Sequence, residues 1–247
     1  MQGLILAAGR GSRLGDLTHN KPKALTKVLG VSMLECQILA LETGGVTCIA
    51  AASGYMNEMI STYISNLFYN IDWQSSNMVR SLLCCNDYLA RNTTIVSYSD
   101  IIYPSNIITQ LVEAKGDIVI AYDPHWISQW QLRFDNPLDD AESFQLNDNG
   151  SLKNIGSRID NVNLASGQFM GLFKLSVTGY NIIKTALECE DAAFVNNLDM
   201  TALLSILLTR EVKIDVLAVN DFWFEIDNAK DLEVCEKYME ENNIILI

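Results

Sequence analysis

The apolar positions of this chain change period several times, and each change marks an element. Leu4, Ile5 and Leu6 form an apolar run without alternation, closed by Ala7, Ala8 and Gly9. That is the pattern of a strand buried on both faces of a parallel sheet. From Met33 to Thr43 the residues Leu34, Ile38 and Leu41 recur at helical spacing, and Gly44-Gly45 supplies the stop. Val46 to Ala52 predicts a second buried strand, and Asn77 to Leu83 a helix beginning beneath a short extended stretch around Asn70 to Trp73. Thr93 to Tyr98, rich in β-branched and aromatic residues, predicts a strand ending in Ser99-Asp100. Pro104 to Ala114 predicts a helix with proline in its first turn, and Asp117 to Tyr122 the next strand. Short buried strands alternating with helices predict an α/β fold on a mainly parallel sheet.

Beyond Tyr122 the periodicity weakens. Asp123 to Glu142 includes Trp126, Trp130, Arg133, Pro137, Asp139 and Asp140, after which Ser143 to Leu146 and Leu152 to Ile155 predict a hairpin joined by Asn147-Asp148-Asn149-Gly150. The region of about 123–168 reads as an insertion bordering a binding site. Regular patterning resumes with a strand opened by Gly167-Gln168-Phe169-Met170-Gly171, helices over about Ser176 to Cys189 and Leu198 to Thr209, and a strand over Val212 to Val219. Phe222 to Asp227 predicts a late strand whose alternation puts Glu225 and Asp227 on one face, opposite Phe224 and Ile226. Ala229 to Glu241 closes the chain as an acidic helix whose charges read as solvated surface. No internal repeat is visible, and residues 1–247 read as one domain.

At 247 residues and 49% hydrophobic content, the chain can bury the core of one large domain. No run approaches the ~20 apolar residues of a membrane span. Met1 leads directly into the first strand, so no membrane insertion and a cytoplasmic location are expected. Cys36, Cys48, Cys84, Cys85, Cys189 and Cys235 contain no Cys-x-x-Cys pair and read as buried thiols of a reducing compartment. His19 and His125 are too isolated for a histidine metal site. A net charge of -13 argues against binding nucleic acid through a basic surface. A homodimer is compatible with the sequence without being indicated by it.

Against this acidic background, five of the 17 Lys and Arg residues fall within the first 27 positions: Arg10, Arg13, Lys21, Lys23 and Lys27. Gly9 and Gly11 allow successive N–H groups to converge on one anion, and Arg10, Arg13 and Lys23 add positive charge where an open α/β sheet places its ligand. Pro22 fixes its own φ and biases Lys21 toward an extended form, which sets Lys23 at a defined distance from the glycine loop. The anion expected is a phosphate. Asp100 at a strand end is unfavourable unless neutralised, and a divalent cation would do so. An aspartate merely turning the chain before Pro104 is the simpler alternative. Glu225 and Asp227 on one face repel in the same way unless a cation joins them.

The segment Leu6-Ala7-Ala8-Gly9-Arg10-Gly11-Ser12-Arg13-Leu14, followed by Pro22-Lys23-Ala24-Leu25, resembles the nucleoside triphosphate nucleotidyltransferases. Their first segment reads Leu-Ala-Ala-Gly-x-Gly-x-Arg-Leu, then Pro-Lys-x-Leu. Asp16 departs from the family, many of whose members carry proline there. The resemblance implies a Rossmann-like mixed sheet flanked by helices, with the 123–168 insertion binding an acceptor. It implies that Leu6 to Arg13, Lys23 and Gly54 face the nucleotide, that Asp100 and Asp227 bind Mg²⁺, and that Arg13 and Lys23 act on the phosphates during transfer. The layout is similar to that of phosphocholine cytidylyltransferases and relatives acting on aminoalkylphosphonates or phosphorylated amino acids, which implies CTP as donor and a small phosphate or phosphonate as acceptor. A sugar-1-phosphate nucleotidyltransferase and a catalytically inactive nucleotide-binding module are the alternatives.

That resemblance also implies Asn77 and Ser81 beside the nucleotide and Trp130 and Asp199 beside the acceptor, and Gln168 and Glu225 are further polar candidates for the acceptor. Each has a plainer reading. Gly54 can simply turn the chain and Asn77 can cap its helix. Trp126 and Trp130, four apart, fit either an aromatic wall for an ammonium group or one packed face. Gln168 can bond backbone, and Asp199 can complement a helix dipole. Arg133, Asp139 and Asp140 fit either a zwitterionic acceptor or a surface salt-bridge cluster.

Overall fold

A computed structural model describes residues 1–245; the last two residues of the expected 1–247 domain lie outside the described residues. In chain order the strands are β1 (Gln2–Ala7), β2 (Lys27–Val28), β3 (Val31–Ser32), β4 (Cys48–Ser53), β5 (Asn66–Tyr69), β6 (Thr94–Tyr98), β7 (Ile101–Ile102), β8 (Ile118–Asp123), β9 (Glu142–Leu146), β10 (Leu152–Arg158), β11 (Gln168–Leu175), β12 (Asp215–Ala218) and β13 (Phe224–Glu225). The helices are α1 (Met33–Thr43), α2 (Asn57–Ile60), α3 (Met78–Cys84), α4 (Asn86–Leu89), α5 (Ser105–Glu113), α6 (Trp126–Arg133), α7 (Val177–Leu187), α8 (Ala192–Asn197), α9 (Met200–Thr209) and α10 (Ala229–Glu241). No helix among the described residues is long and apolar enough to cross a membrane.

The mainly parallel sheet expected from the apolar runs is present, in the order β12-β8-β11-β6-β1-β4-β5. Only β11 runs against its neighbours β6 and β8; the other pairings are parallel. Six strands therefore end at one edge, and the glycine loop after Ala7, the turn at Gly54 and the turn at Asp100 all leave from it. β1 is buried along its whole length because both sheet faces are covered. Leu4 and Leu6 join a core with Val79, Leu82, Tyr180, Leu203 and Leu207. Ile5 and Ala7 face the opposite core, with Leu34, Leu41, Ile107, Leu111 and Trp126. A third cluster, including Leu14, Met33, Phe224, Ile226 and Cys235, packs the loop after β1 against β13 and α10.

Several elements differ from the expectation, each for a local reason. The extended stretch near Asn70 is instead β5, ending at Tyr69. The Asn70 side chain accepts the Asp72 N–H at 3.0 Å and turns the chain there. The late strand shrinks to Phe224–Glu225, paired with Ile101–Ile102, because the Asp227 N–H is taken by the Asp231 carboxylate rather than by a neighbouring strand. The weakly periodic stretch after Asp123 contains α6, whose buried face mixes Trp126 and Trp130 with the polar Gln129 and Arg133. Cys36, Cys85 and Cys235 are buried as expected, whereas Cys48 and Cys189 are exposed.

The antiparallel β11 reaches the binding edge through an irregularity between Phe169 and Phe173. Gly171 sits within it at φ +73°, and a Cβ there would meet Tyr98 Cδ2 at 2.4 Å. Both the backbone conformation and the close approach require glycine. Gly171→Ala is expected to destabilise the protein by about 1–3 kcal/mol. Scanning calorimetry should show a lower Tm, and an unchanged Tm would contradict the bulge.

Candidate active site

The loop after β1 is shaped by what lies behind it. Gly11 adopts φ 73° and ψ 50° at the head of a short 3-10 turn, Ser12–Thr18. A Cβ on Gly11 would lie 2.7 Å from Lys23 Cβ, so the glycine makes room for the lysine stem. Thr18 Oγ1 donates to the Gly11 carbonyl at 2.8 Å and pins the turn. A Cβ on Gly54 would strike the Ala8 carbonyl oxygen and Trp73 Cβ, each at 2.6 Å, and the Tyr55 N–H donates to Ala8 O at 3.1 Å. Two strand-end loops are thereby clasped together. Leu6, Ala7 and Ala8 are buried beneath them, while Gly9, Arg10 and Ser12 are exposed. Arg10 stacks over Tyr55 at 5.7 Å, and Tyr55 lies against Trp73 at 5.3 Å.

Lys23 follows Pro22, which is fixed in extended geometry at φ -60° and ψ 152°. The side chain is 9% exposed, and its Nζ donates to Asp100 Oδ2 at 2.7 Å and Asp227 Oδ1 at 2.5 Å. Arg13, 69% exposed, reaches the same Asp227 oxygen at 2.9 Å. Two acids 127 positions apart in sequence thus meet on one ammonium. Burial alone would depress the Lys23 pKa, but Asp100 and Asp227 outweigh it and hold it above the ordinary lysine value. Burial would raise Asp227, but Lys23, Arg13 and Arg133 bring it below the ordinary carboxylate value. Glu225 goes the other way: burial, with Asp227 and Asp100 nearby, outweighs Arg133 and pushes it up.

Asp100, Glu225 and Asp227 each offer an oxygen within 4.8 Å of the others. Asp100 Oδ1 is buried and has no hydrogen-bond partner, so one lone-pair site in the cluster is unused. Hard carboxylate oxygens at this spacing fit a divalent cation such as Mg²⁺.

Residues 3–141 match the MobA-like NTP transferase domain. The chain belongs to that family. This nucleotidyltransferase is 31% identical to the CTP:phosphoglutamine cytidylyltransferase of Campylobacter jejuni over 95% of this chain and 98% of the relative. It is 28% identical to the choline-phosphate cytidylyltransferase of Haemophilus influenzae over 76% and 74% of the two chains. The inositol-1-phosphate CTP transferase from T. maritima superposes with a TM-score of 0.74 at 18% identity, over 97% of this chain and 96% of that one, a likeness of fold.

In this nucleotidyltransferase the remaining candidate residues are placed as follows. Asn77 caps α3, accepting the Met78 N–H at 2.8 Å. Ser81 is buried and accepts from Asn70 Nδ2 at 3.0 Å. Asp199 caps α9, and Gln168 is buried with both amide atoms bonded to the Glu142 backbone. Of the two readings of Trp126 and Trp130 the packed face holds and the aromatic wall does not: both rings are buried and meet edge to face at 5.8 Å within a core that includes Trp223. Arg133, expected at the acceptor, has a fully buried side chain bound to Glu225, Asp227 and Asp231. Burial brings helix and core contacts that neither an aromatic wall nor an exposed cation would have.

Asp231 is the residue the sequence reading missed. The charge run of its helix predicts solvated surface, yet Asp231 is fully buried. A signal was available in Asn228-x-x-Asp231, a capping-box spacing directly after Asp227. Gln129, which donates to the Trp223 carbonyl at 3.0 Å, and the turn-forming Asn70 carried no sequence signal. Removing Arg133 would leave Asp231 as an unpaired buried charge, so Arg133→Met should cost about 3–5 kcal/mol of stability. Denaturant unfolding at neutral pH measures this, and a loss below 1 kcal/mol would show the pair to be solvated.

Proposed function

We propose that this chain transfers a cytidylyl group from CTP to a small nitrogen-bearing phosphate or phosphonate, of the phosphocholine, aminoalkylphosphonate or phospho-amino-acid type, releasing pyrophosphate. The observation that carries the reading is the Lys23 ammonium lodged between Asp100 and Asp227 behind the glycine loop. The likeness to a phosphoglutamine and a choline-phosphate cytidylyltransferase supports the nucleotide and the acceptor class. In this reading residues 1–247 act as one cytoplasmic enzyme, with 123–168 bordering the acceptor.

An acceptor phosphate oxygen attacks the α-phosphorus of CTP. The new P–O bond forms as the bond to the β-phosphate oxygen breaks, and pyrophosphate leaves with the electron pair. The nucleophile is already anionic, so the protein's task is to align groups and offset repulsion. Lys23 has a raised pKa and stays protonated near neutral pH, so it serves as a cation for the reacting phosphate and not as a base. Arg13 is 69% exposed, so solvent screens its side of the ion pair with the buried Asp227. It is therefore free to move to the leaving phosphates. Asp100 and Asp227 would hold Mg²⁺, with Glu225 beside them. When bound, the ion supplies charge neutralisation of the phosphate oxygens.

Pyrophosphate release measured with CTP, UTP, ATP and GTP against a panel of small phosphates and phosphonates tests the reading. CTP with a nitrogen-bearing acceptor should give the highest kcat/KM, and preference for a sugar 1-phosphate would contradict it. Lys23→Ala should lower kcat by ~10²-fold or more, and unchanged turnover would remove Lys23 from the mechanism.

A further inference from the structure

Arg133 approaches the carboxylate cluster from behind. Its side chain has no exposed surface, so neither a triphosphate nor an acceptor reaches it through solvent. The guanidinium lies 5.3 Å from the Trp130 ring centroid and 5.0 Å from that of Phe134, and these rings restrict its rotation. Its N–H groups are divided among three acids. Nη1 donates to Glu225 Oε2 at 2.7 Å, and Nη2 to Asp227 Oδ2 at 3.5 Å. Nε donates to Asp231 Oδ1 at 3.3 Å, and Nη2 also reaches Asp231 Oδ2 at 3.4 Å. Asp231 Oδ2 in turn accepts the backbone N–H groups of Asp227 at 2.9 Å and Asn228 at 3.3 Å, and Asn228 Nδ2 at 3.0 Å. One acid thus grips the Asp227 backbone while its guanidinium partner grips the Asp227 side chain.

The two oxygens of Asp227 are distinguished by this arrangement. Oδ1 faces Lys23 and Arg13, whereas Oδ2 faces Arg133. A carboxylate free to rotate can present either oxygen or both; one tethered from behind presents one oxygen in one direction. Glu225 is held the same way through Oε2. Arg133 alone would oppose a cation at the cluster, but Asp231 balances its charge, so the pair adds orientation with little net field.

We propose that Arg133 and Asp231 form a mount that fixes Asp227 as a one-oxygen ligand and steadies Glu225 beside it. Both are thereby positioning residues for a divalent cation and for the transfer. The inference rests on the transferase reading above and replaces the acceptor contact expected of Arg133. Partners behind a metal ligand commonly govern affinity by orienting it.

Mn²⁺ binding to the full-length, nucleotide-free protein, followed by electron paramagnetic resonance, tests the mount without turnover. Removing the two opposite charges together, or keeping the cation as lysine, leaves the net field at the cluster little changed, so electrostatics alone predicts an unchanged Mn²⁺ affinity; the mount predicts a weaker one. Arg133→Met/Asp231→Asn removes both charges and keeps an amide oxygen for the Asp227 N–H. Its Mn²⁺ Kd should rise by about 10–100-fold. In turnover the metal concentration required should rise similarly, while KM for CTP at saturating metal stays unchanged. Arg133→Lys retains a buried cation without the planar fork, should remain folded, and should also weaken Mn²⁺. It supplies the readout if the double variant does not fold. Equal or tighter Mn²⁺ binding in a folded variant overturns the mount. Weakened Mn²⁺ binding combined with a wild type inactive on every nucleotide would sink the transferase reading and leave the mount standing.

Discussion

One ammonium group carries the architecture of this site. Lys23 Nζ sits between Asp100 and Asp227, two acids 127 positions apart in the chain. Like charges within 4.8 Å of each other oppose one another by roughly 3–4 kcal/mol at an effective dielectric near 20. They converge here because a cation is built between them. Gly11 leaves room for the lysine stem, Pro22 sets its direction, and the third hydrophobic cluster holds β13 and α10 in place. Of the five cations early in this chain of net charge -13, Arg13 and Lys23 answer to these acids.

The sheet makes the convergence possible. Six strands end at one edge, so the loops after β1, β4 and β6 emerge side by side. Asp100 follows β6 directly, and the two-residue pairing of β13 with β7 brings Asp227 up to it. From there the electrostatics separate into two roles. Lys23 is kept charged between Asp100 and Asp227, with its stem packed against Gly11 of the glycine loop. Arg133 is enclosed and holds the acids from behind. Arg13 shares Asp227 Oδ1 with Lys23 and is the exposed member of the set.

Where sequence signals were local, they were legible. The apolar run at Leu4 to Leu6, the helix from Met33 to Thr43 and the helix from Ala229 to Glu241 are found where their patterns place them. The glycine loop and the Pro22-Lys23 pair also identified their end of the sheet. Where tertiary contacts overrule local pattern, the reading failed. Trp126 and Trp130 form the packed face that their spacing allows, whereas Arg133, which fits an acceptor contact or a surface salt bridge from sequence, is buried by α6 against Trp130 and Asp231. Asp231 looked solvated because its helix is rich in acids; its burial depends on an arginine 98 positions away. The late strand was overextended because alternation at Phe222 to Asp227 does not reveal that Asp231 takes the Asp227 N–H.

The central claim is that the site now bridged by Lys23 is where a nucleotide-bound cation sits during transfer. A crystal structure with Mn²⁺ and a non-hydrolysable CTP analogue, with the metal located by anomalous scattering, tests it most directly. The predicted result is an anomalous peak between Asp100 and Asp227, with Lys23 Nζ moved from the carboxylates to the α-phosphate. A metal peak elsewhere, with Lys23 still bridging both acids and the triphosphate distant from the glycine loop, would contradict it.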